Sequence, residues 1–193
     1  MRADEAVRLF GLNNLLIESE VRRIERAFDV DLTGRRAASG DVEASYYPQF
    51  SKRLRAEAAE MSNHYAIFYC LENSIRDLIS EALEEVHGVN WWEKSVPQVV
   101  ADNATKNQKK ELSSGITPRS SKLIDYTNFG ELGEIIKSNA EVFDGMLNDL
   151  GAVQRIFSNL NTLRAPIAHC KPLAEDEVVR LHLGLRDWFR QMS

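Results

Sequence analysis

Apolar residues recur along this chain at three- and four-residue steps, and no useful length of strict alternation appears. Such steps return to one face of a helix with 3.6 residues per turn, whereas a half-buried strand would alternate. The pattern therefore predicts an all-α protein. The clearest stripe is Ile67, Leu71, Ile75, Leu78, Ile79, Leu83 and Val86, inside a helix predicted from about Ser51 to His87 and stopped by Gly88. A rougher stripe of Val7, Phe10, Leu15, Val21, Ile24 and Phe28 predicts an earlier helix over 3–29, with a possible break at Gly11-Leu12-Asn13-Asn14. Between them, residues 33–50 read as loop, with Gly34, Gly40, Asp41 and Pro48 as breakers.

Residues 88–122 carry no clear stripe and are expected to be irregular, with Trp91-Trp92 and Pro97 forming a turn packed on the helices. A short helix is predicted within Leu123–Lys137, where Asn128 and Glu131 loosely fit a capping box. Ser138 and Glu141 fit the same box strictly and predict a fresh helix from Ser138. Its apolar set is Val142, Phe143, Met146, Leu147, Leu150, Val153, Ile156, Phe157 and Leu160. The last helix is expected over about Glu175–Gln191, striped by Val178, Leu181, Leu185 and Trp188, with His182 just beside the stripe and either packed or exposed.

A length of 193 residues suits one ordinary domain with a modest extension, here 1–50 as an N-terminal helical extension and loop and 51–193 as the main helical domain. No apolar run approaches the ~20 residues of a membrane span, and no signal-peptide pattern opens the chain. Cys70 and Cys170 are too few for a disulfide framework and lack metal-ligand spacing, so a cytoplasmic protein without bound metal is expected. The net charge of −5 argues against a broadly basic nucleic-acid binder but leaves room for a local basic site. Arg22, Arg23 and Arg26 cluster in the first helix, and Arg35 and Arg36 follow in the loop. Lys106, Lys109, Lys110, Arg119 and Lys122 make 106–122 the most basic stretch, either a steering patch for a polyanion or a solvated linker.

The stretch LNTLRAPIAHCKPL, Leu160–Leu173, carries the candidate chemistry. Arg164 and His169 frame Arg-x4-His, with Lys171 beyond. On an unbroken helix the two side chains would stand roughly 140° apart. Pro166 is expected to kink or end the helix, because it lacks an N–H and clashes with the carbonyl of Thr162. The pair could then converge at a helix end, or each residue could meet its counterpart from a second copy. A guanidinium grips phosphate oxygens with a fixed fork of donors, and an imidazole exchanges protons near neutral pH, a combination suited to phosphodiester chemistry. The same two residues also suit the capping of helix-terminal carbonyls.

Four segments in this order resemble the HEPN superfamily of small helical domains. They are YAIFYCLENSIRDLI (65–79) with Glu72 and Arg76, WWEKSVP (91–97), IDYTNFGELGEII (124–136) and LNTLRAPIAHCKPL (160–173). The resemblance covers about His64 to Phe189. It is closest to the branch typified by the C-terminal domain of an mRNA quality-control endoribonuclease.

The resemblance implies a helical bundle, here with the added N-terminal extension, that dimerises through its signature helices. It also implies metal-independent RNA cleavage by 2′-hydroxyl attack, of the toxin or anti-phage type, with no cofactor and with an antitoxin or defence-system protein as a possible partner. His169 would then move protons, Arg164 would hold the phosphate, and Glu72 and Arg76 would orient the site. The residue after the signature arginine is commonly polar in the family, and here it is Ala165. That departure favours the alternative, a non-catalytic HEPN module that binds RNA or a partner protein. A third activity known in the family, accepting a nucleotide on a tyrosine two places after the histidine, is disfavoured by Lys171 at that position.

Overall fold

A computed structural model describes residues 20, 21, 23, 24 and 47–192. Glu20, Val21, Arg23 and Ile24 are helical, and Arg23 pairs with Glu20 at 2.9 Å. The rest of the helix predicted over 3–29, with Arg22 and Arg26, lies outside the described residues, as do Arg35, Arg36 and residues 33–46 of the loop predicted over 33–50.

The chain divides into two compact units, Met1–Arg55 and Ala56–Ser193. In the first, Tyr47–Gln49 form a 3-10 turn, the Tyr47 and Phe50 rings meet edge to face at 6.4 Å, and the Arg55 guanidinium lies over Tyr47. Ser51 caps the first long helix, its Oγ accepting the Leu54 N–H at 3.3 Å. That helix is α1, Lys52–His87.

The second unit holds most of α1 and six further helices: α2 Trp91–Ser95, α3 Gln98–Leu112, α4 Phe129–Ser138, α5 Ala140–Phe143, α6 Leu150–Ala168 and α7 Glu175–Gln191. No β-strand forms among the described residues, so the all-α expectation holds. Gly88 ends α1 as predicted, in the left-handed region at φ 72° that glycine enters without a Cβ clash. Of the predicted α1 stripe, Leu71, Ile75, Ile79 and Leu83 are buried, whereas Val86 is 59 % exposed and outside the core. The Glu175–Gln191 helix has the predicted bounds, with Leu181 and Trp188 buried.

Aromatic rings tie the layers together. Phe68 on α1 meets Phe129 on α4 edge to face at 6.1 Å, Phe129 stacks on Phe157 of α6 at 5.0 Å, and Phe157 meets Trp188 of α7 at 5.6 Å. All four rings are buried, so the chain of contacts links helices far apart in sequence through the largest apolar side chains available. Gly133 lets α4 approach α6, because a Cβ there would stand 3.0 Å from the Phe157 ring.

Three expectations are corrected. Residues 88–122 are not irregular: they hold α2 and the fifteen-residue α3. Only Val100, Ala104 and Glu111 of α3 are buried, so its inward face lacks an apolar stripe. It docks by polar bonds instead, Asn103 donating to Glu131 at 3.0 Å and Asn107 to the Tyr126 carbonyl at 3.1 Å. Ser138 does not start a helix but ends α4, and the next residue, Asn139, uses its amide to bond the carbonyls of Ser95 and Ile135. The helix expected to run unbroken from Ser138 to Leu160 is interrupted at 144–149, where Gly145 turns at φ 85°. Asp149 then caps α6, its Oδ1 accepting the Gly151 and Ala152 N–H groups. The capping box at Asn128 and Glu131, by contrast, is complete in both directions.

Candidate active site

Tyr65, Tyr69, Glu72 and Arg76 are spaced four, three and four apart, so at 100° per residue they lie within about 60° of one another on α1. All four line an open cleft of about 530 Å³. Phe68 and Asn73 of the same helix, Arg119 and Asp125 from the loop region, and Arg164, Ile167 and Ala168 from α6 complete its wall.

Glu72 is the hub. One carboxylate oxygen accepts from Arg76 within α1, and the other accepts from Arg164 Nε at 3.0 Å, across 92 positions of sequence. Arg76 also donates to the carbonyls of Ile124 and Thr127 at 3.3 and 3.2 Å, which fixes the 3-10 turn Leu123–Tyr126 against α1. The Glu72 and Arg76 side chains are 12 % exposed and that of Arg164 is 34 % exposed. The buried carboxylate thus holds Arg164 by its Nε edge, and the terminal Nη donors remain for a ligand in the cleft.

His169 stands at the end of α6. Of the two outcomes expected at Pro166, a kink or an end, the end does not occur there: α6 runs on to Ala168 with Pro166 inside it. The helix closes two residues later in a Schellman arrangement, with the Lys171 N–H on the Pro166 carbonyl at 2.8 Å and the Cys170 N–H on the Ile167 carbonyl at 3.2 Å. Cys170 takes the left-handed position at φ 56°, which commonly belongs to glycine and costs a residue with a Cβ about 1–2 kcal/mol. These bonds satisfy the last carbonyls and set His169 as the C-cap, exposed and next to Ala168 on the cleft wall. His169 itself does not line the cleft.

The structure therefore brings together Glu72, Arg76, Arg164 and Arg119. Arg119 is bound to the buried Glu111 through side chain and backbone, at 2.7 Å from Nε, and lies over the Tyr126 ring. Those bonds hold the Glu111 carboxyl below its ordinary range. Lys106, Lys109 and Lys110 are exposed on α3, and Lys171 is exposed after α6. Lys122 lines a second, smaller cleft with the half-buried Trp91 and Trp92. None of these five lysines lines the Arg164 cleft. Cleft residues not anticipated from sequence are Tyr65, Phe68, Tyr69, Asn73, Asp125, Ile167 and Ala168. For the two tyrosines the signal was present in their shared register with Glu72 and Arg76.

The family model for Swt1-like HEPN matches residues 66–193. The chain belongs to the Swt1-like HEPN family. The match spans about two thirds of its length and takes in the segments on which the resemblance rested, apart from Tyr65 at the start of the first. No curated protein and no solved structure matches it. Membership gives this HEPN domain a family that is generally connected with ribonucleases. Among the described residues no helix is long and apolar enough to cross a membrane.

One residue before the cleft-lining Tyr65, His64 is buried, and its Nδ1 has no hydrogen-bond partner among the described residues. Burial lowers its pKa below the ordinary 6.5, opposed by Glu60 and reinforced by His182 of α7. A depressed histidine pKa means that the unfolded chain takes up the proton first as pH falls. Stability should be at its plateau above 6.5 and decline as pH drops through the lowered pKa, by at most about 1.4 kcal/mol per pH unit from this group. Thermal melts from pH 7.5 to 5 measure the decline, and His64→Leu should flatten it. An equally steep decline in the variant would assign the acid sensitivity to other groups.

Proposed function

We propose that this HEPN domain is a metal-independent endoribonuclease acting as a homodimer. The observation that supports it best is Arg164, held by a buried carboxylate in the wall of an open cleft at the same helix end that presents His169. In this reading the ribose 2′-oxygen attacks the adjacent phosphorus and gives up its proton to one imidazole. The bond to the 5′-oxygen breaks, and that oxygen takes a proton from a second imidazole. The products are a 2′,3′-cyclic phosphate and a 5′-hydroxyl. Two protomers supply the two histidines, and Arg164 offsets the charge gathering on the phosphoryl oxygens. Glu72 and Arg76 orient Arg164 instead of touching substrate. A toxin or defence role, restrained by a partner protein, and a separate N-terminal extension over 1–50 belong to the same proposal.

Purified full-length protein incubated with mixed cellular RNA tests the reading. Cleavage should persist in EDTA and leave ends blocked as cyclic phosphates, and Arg164→Ala should reduce it by about 10²-fold or more. Strict dependence on divalent metal would overturn the mechanism. Ala165, exposed where a polar side chain is common in the family, favours a second reading, an RNA- or protein-binding HEPN module. RNA binding without any cleavage would select it.

A further inference from the structure

The cleft holds a feature that phosphate gripping does not use. Tyr65 and Tyr69 are 61 % and 59 % exposed, one turn apart on α1, with ring centroids 6.1 Å apart and planes tilted by 39°. Phe68, between them in sequence, is buried at 4 %. The helix therefore sends one aromatic ring of this run into the core and leaves two large ring faces against solvent, where they forgo burial. Both rings line the cleft that also contains Arg164.

The charges of that cleft make the rings decisive. Arg76, Arg119 and Arg164 line it, but so do Glu72 and Asp125, and Arg119 is already bound to Glu111. Little net positive charge remains, whereas affinity for a duplex backbone grows with the number of phosphates neutralised. Stacking of a base on an aromatic ring does not depend on net charge and is worth more than a surface ion pair. An A-form duplex hides its base faces and offers phosphates and 2′-hydroxyls, so it could use the arginines but not the rings.

We propose that Tyr65 and Tyr69 form a stacking platform that seats successive unpaired bases beside Arg164, making single-stranded RNA the substrate class of the cleft. The proposal rests on the reading of this cleft as an RNA site but not on cleavage. Because the rings and Arg164 line one cleft, the rings select unpaired RNA and the arginine engages its phosphate backbone.

The test is fluorescence anisotropy with full-length protein carrying His169→Ala, so that RNA stays intact. The probes are a labelled twelve-nucleotide single strand of mixed A and U and the same strand annealed to its complement. The single strand should bind at least tenfold more tightly. Tyr65→Ala and Tyr69→Ala should each weaken it on the order of tenfold without changing the salt dependence, and the corresponding phenylalanine variants should restore binding. Arg164→Ala should instead lower the slope of log affinity against log salt by about one. Equal binding of duplex and single strand, or alanine variants that bind as well as the parent, would overturn the platform. So would sedimentation showing that the alanine variants turn a dimer into monomers, since the rings would then be a contact with a second copy. Cleavage by the wild-type protein is scored separately. Ring-dependent binding without cleavage removes the nuclease and keeps the platform, and cleavage with ring-independent binding does the reverse.

Discussion

His169→Ala should abolish detectable RNA cleavage while leaving the fold and any dimer in place. General acid–base catalysis contributes about 10²–10⁴-fold for one well-placed proton-transfer group. The proposed dimer uses two copies of His169, one as base and one as acid, so the substitution removes both at once. The fold should tolerate it. The His169 side chain is exposed and makes no hydrogen bond among the described residues, and the Schellman closure uses backbone groups of Pro166, Ile167, Cys170 and Lys171. Alanine accepts the φ of −101° and ψ of 18° found there. The measurement is single-turnover cleavage of a labelled RNA, with a thermal melt and a sedimentation run on the same preparation. Loss of cleavage with unchanged melting and mass places the effect on chemistry. Cleavage at the wild-type rate would remove His169 from the mechanism.

The ends of α1 and α7 were legible because periodic stripes and terminal signals coincide there: Ser51 caps, Gly88 turns left-handed, and Glu175–Glu177 complement the positive end of the last helix dipole. α3 was hidden because its docking groups are Asn103, Asn107 and Glu111, whose partners lie 8 to 28 residues onward and leave no apolar period. The break before α6 was hidden for the opposite reason. Phe143 and Leu147 are both buried although the chain turns between them, so the helical period continues across a bend marked only by Gly145 and Asp149. In the site, Arg164 and Glu72 are joined across 92 positions. No local pattern encodes that contact, and the resemblance implied only that Glu72 and Arg76 orient the site. The Tyr65 and Tyr69 stripe, in register with Glu72, needed no such help.

The Glu72 carboxylate carries the largest structural expectation. Glu72→Ala should destabilise the protein by about 3 kcal/mol, the lower end of the range for removing one partner of a buried ion pair, because Arg164 is one-third exposed and water can reach it. For a chain of this size that corresponds to a fall of about 6–12 °C in melting temperature. The cause is specific: Arg76 loses its ion pair while its side chain stays 12 % exposed, and α6 loses its charged tie to α1. Glu72→Gln keeps the side-chain shape and one acceptor oxygen, but its amide nitrogen faces an arginine donor, so only part of the stability should return. Activity should not return with it, because a neutral amide holds the Arg164 guanidinium less firmly and cannot keep both arginines aligned. That separation of stability from turnover is what a positioning residue predicts. A double-mutant cycle with Arg164→Ala should give a coupling of about 1–3 kcal/mol between the two side chains. Additive losses, or a melting temperature untouched by Glu72→Ala, would mean that the carboxylate does not join the helices, and the placement of Arg164 would need another source.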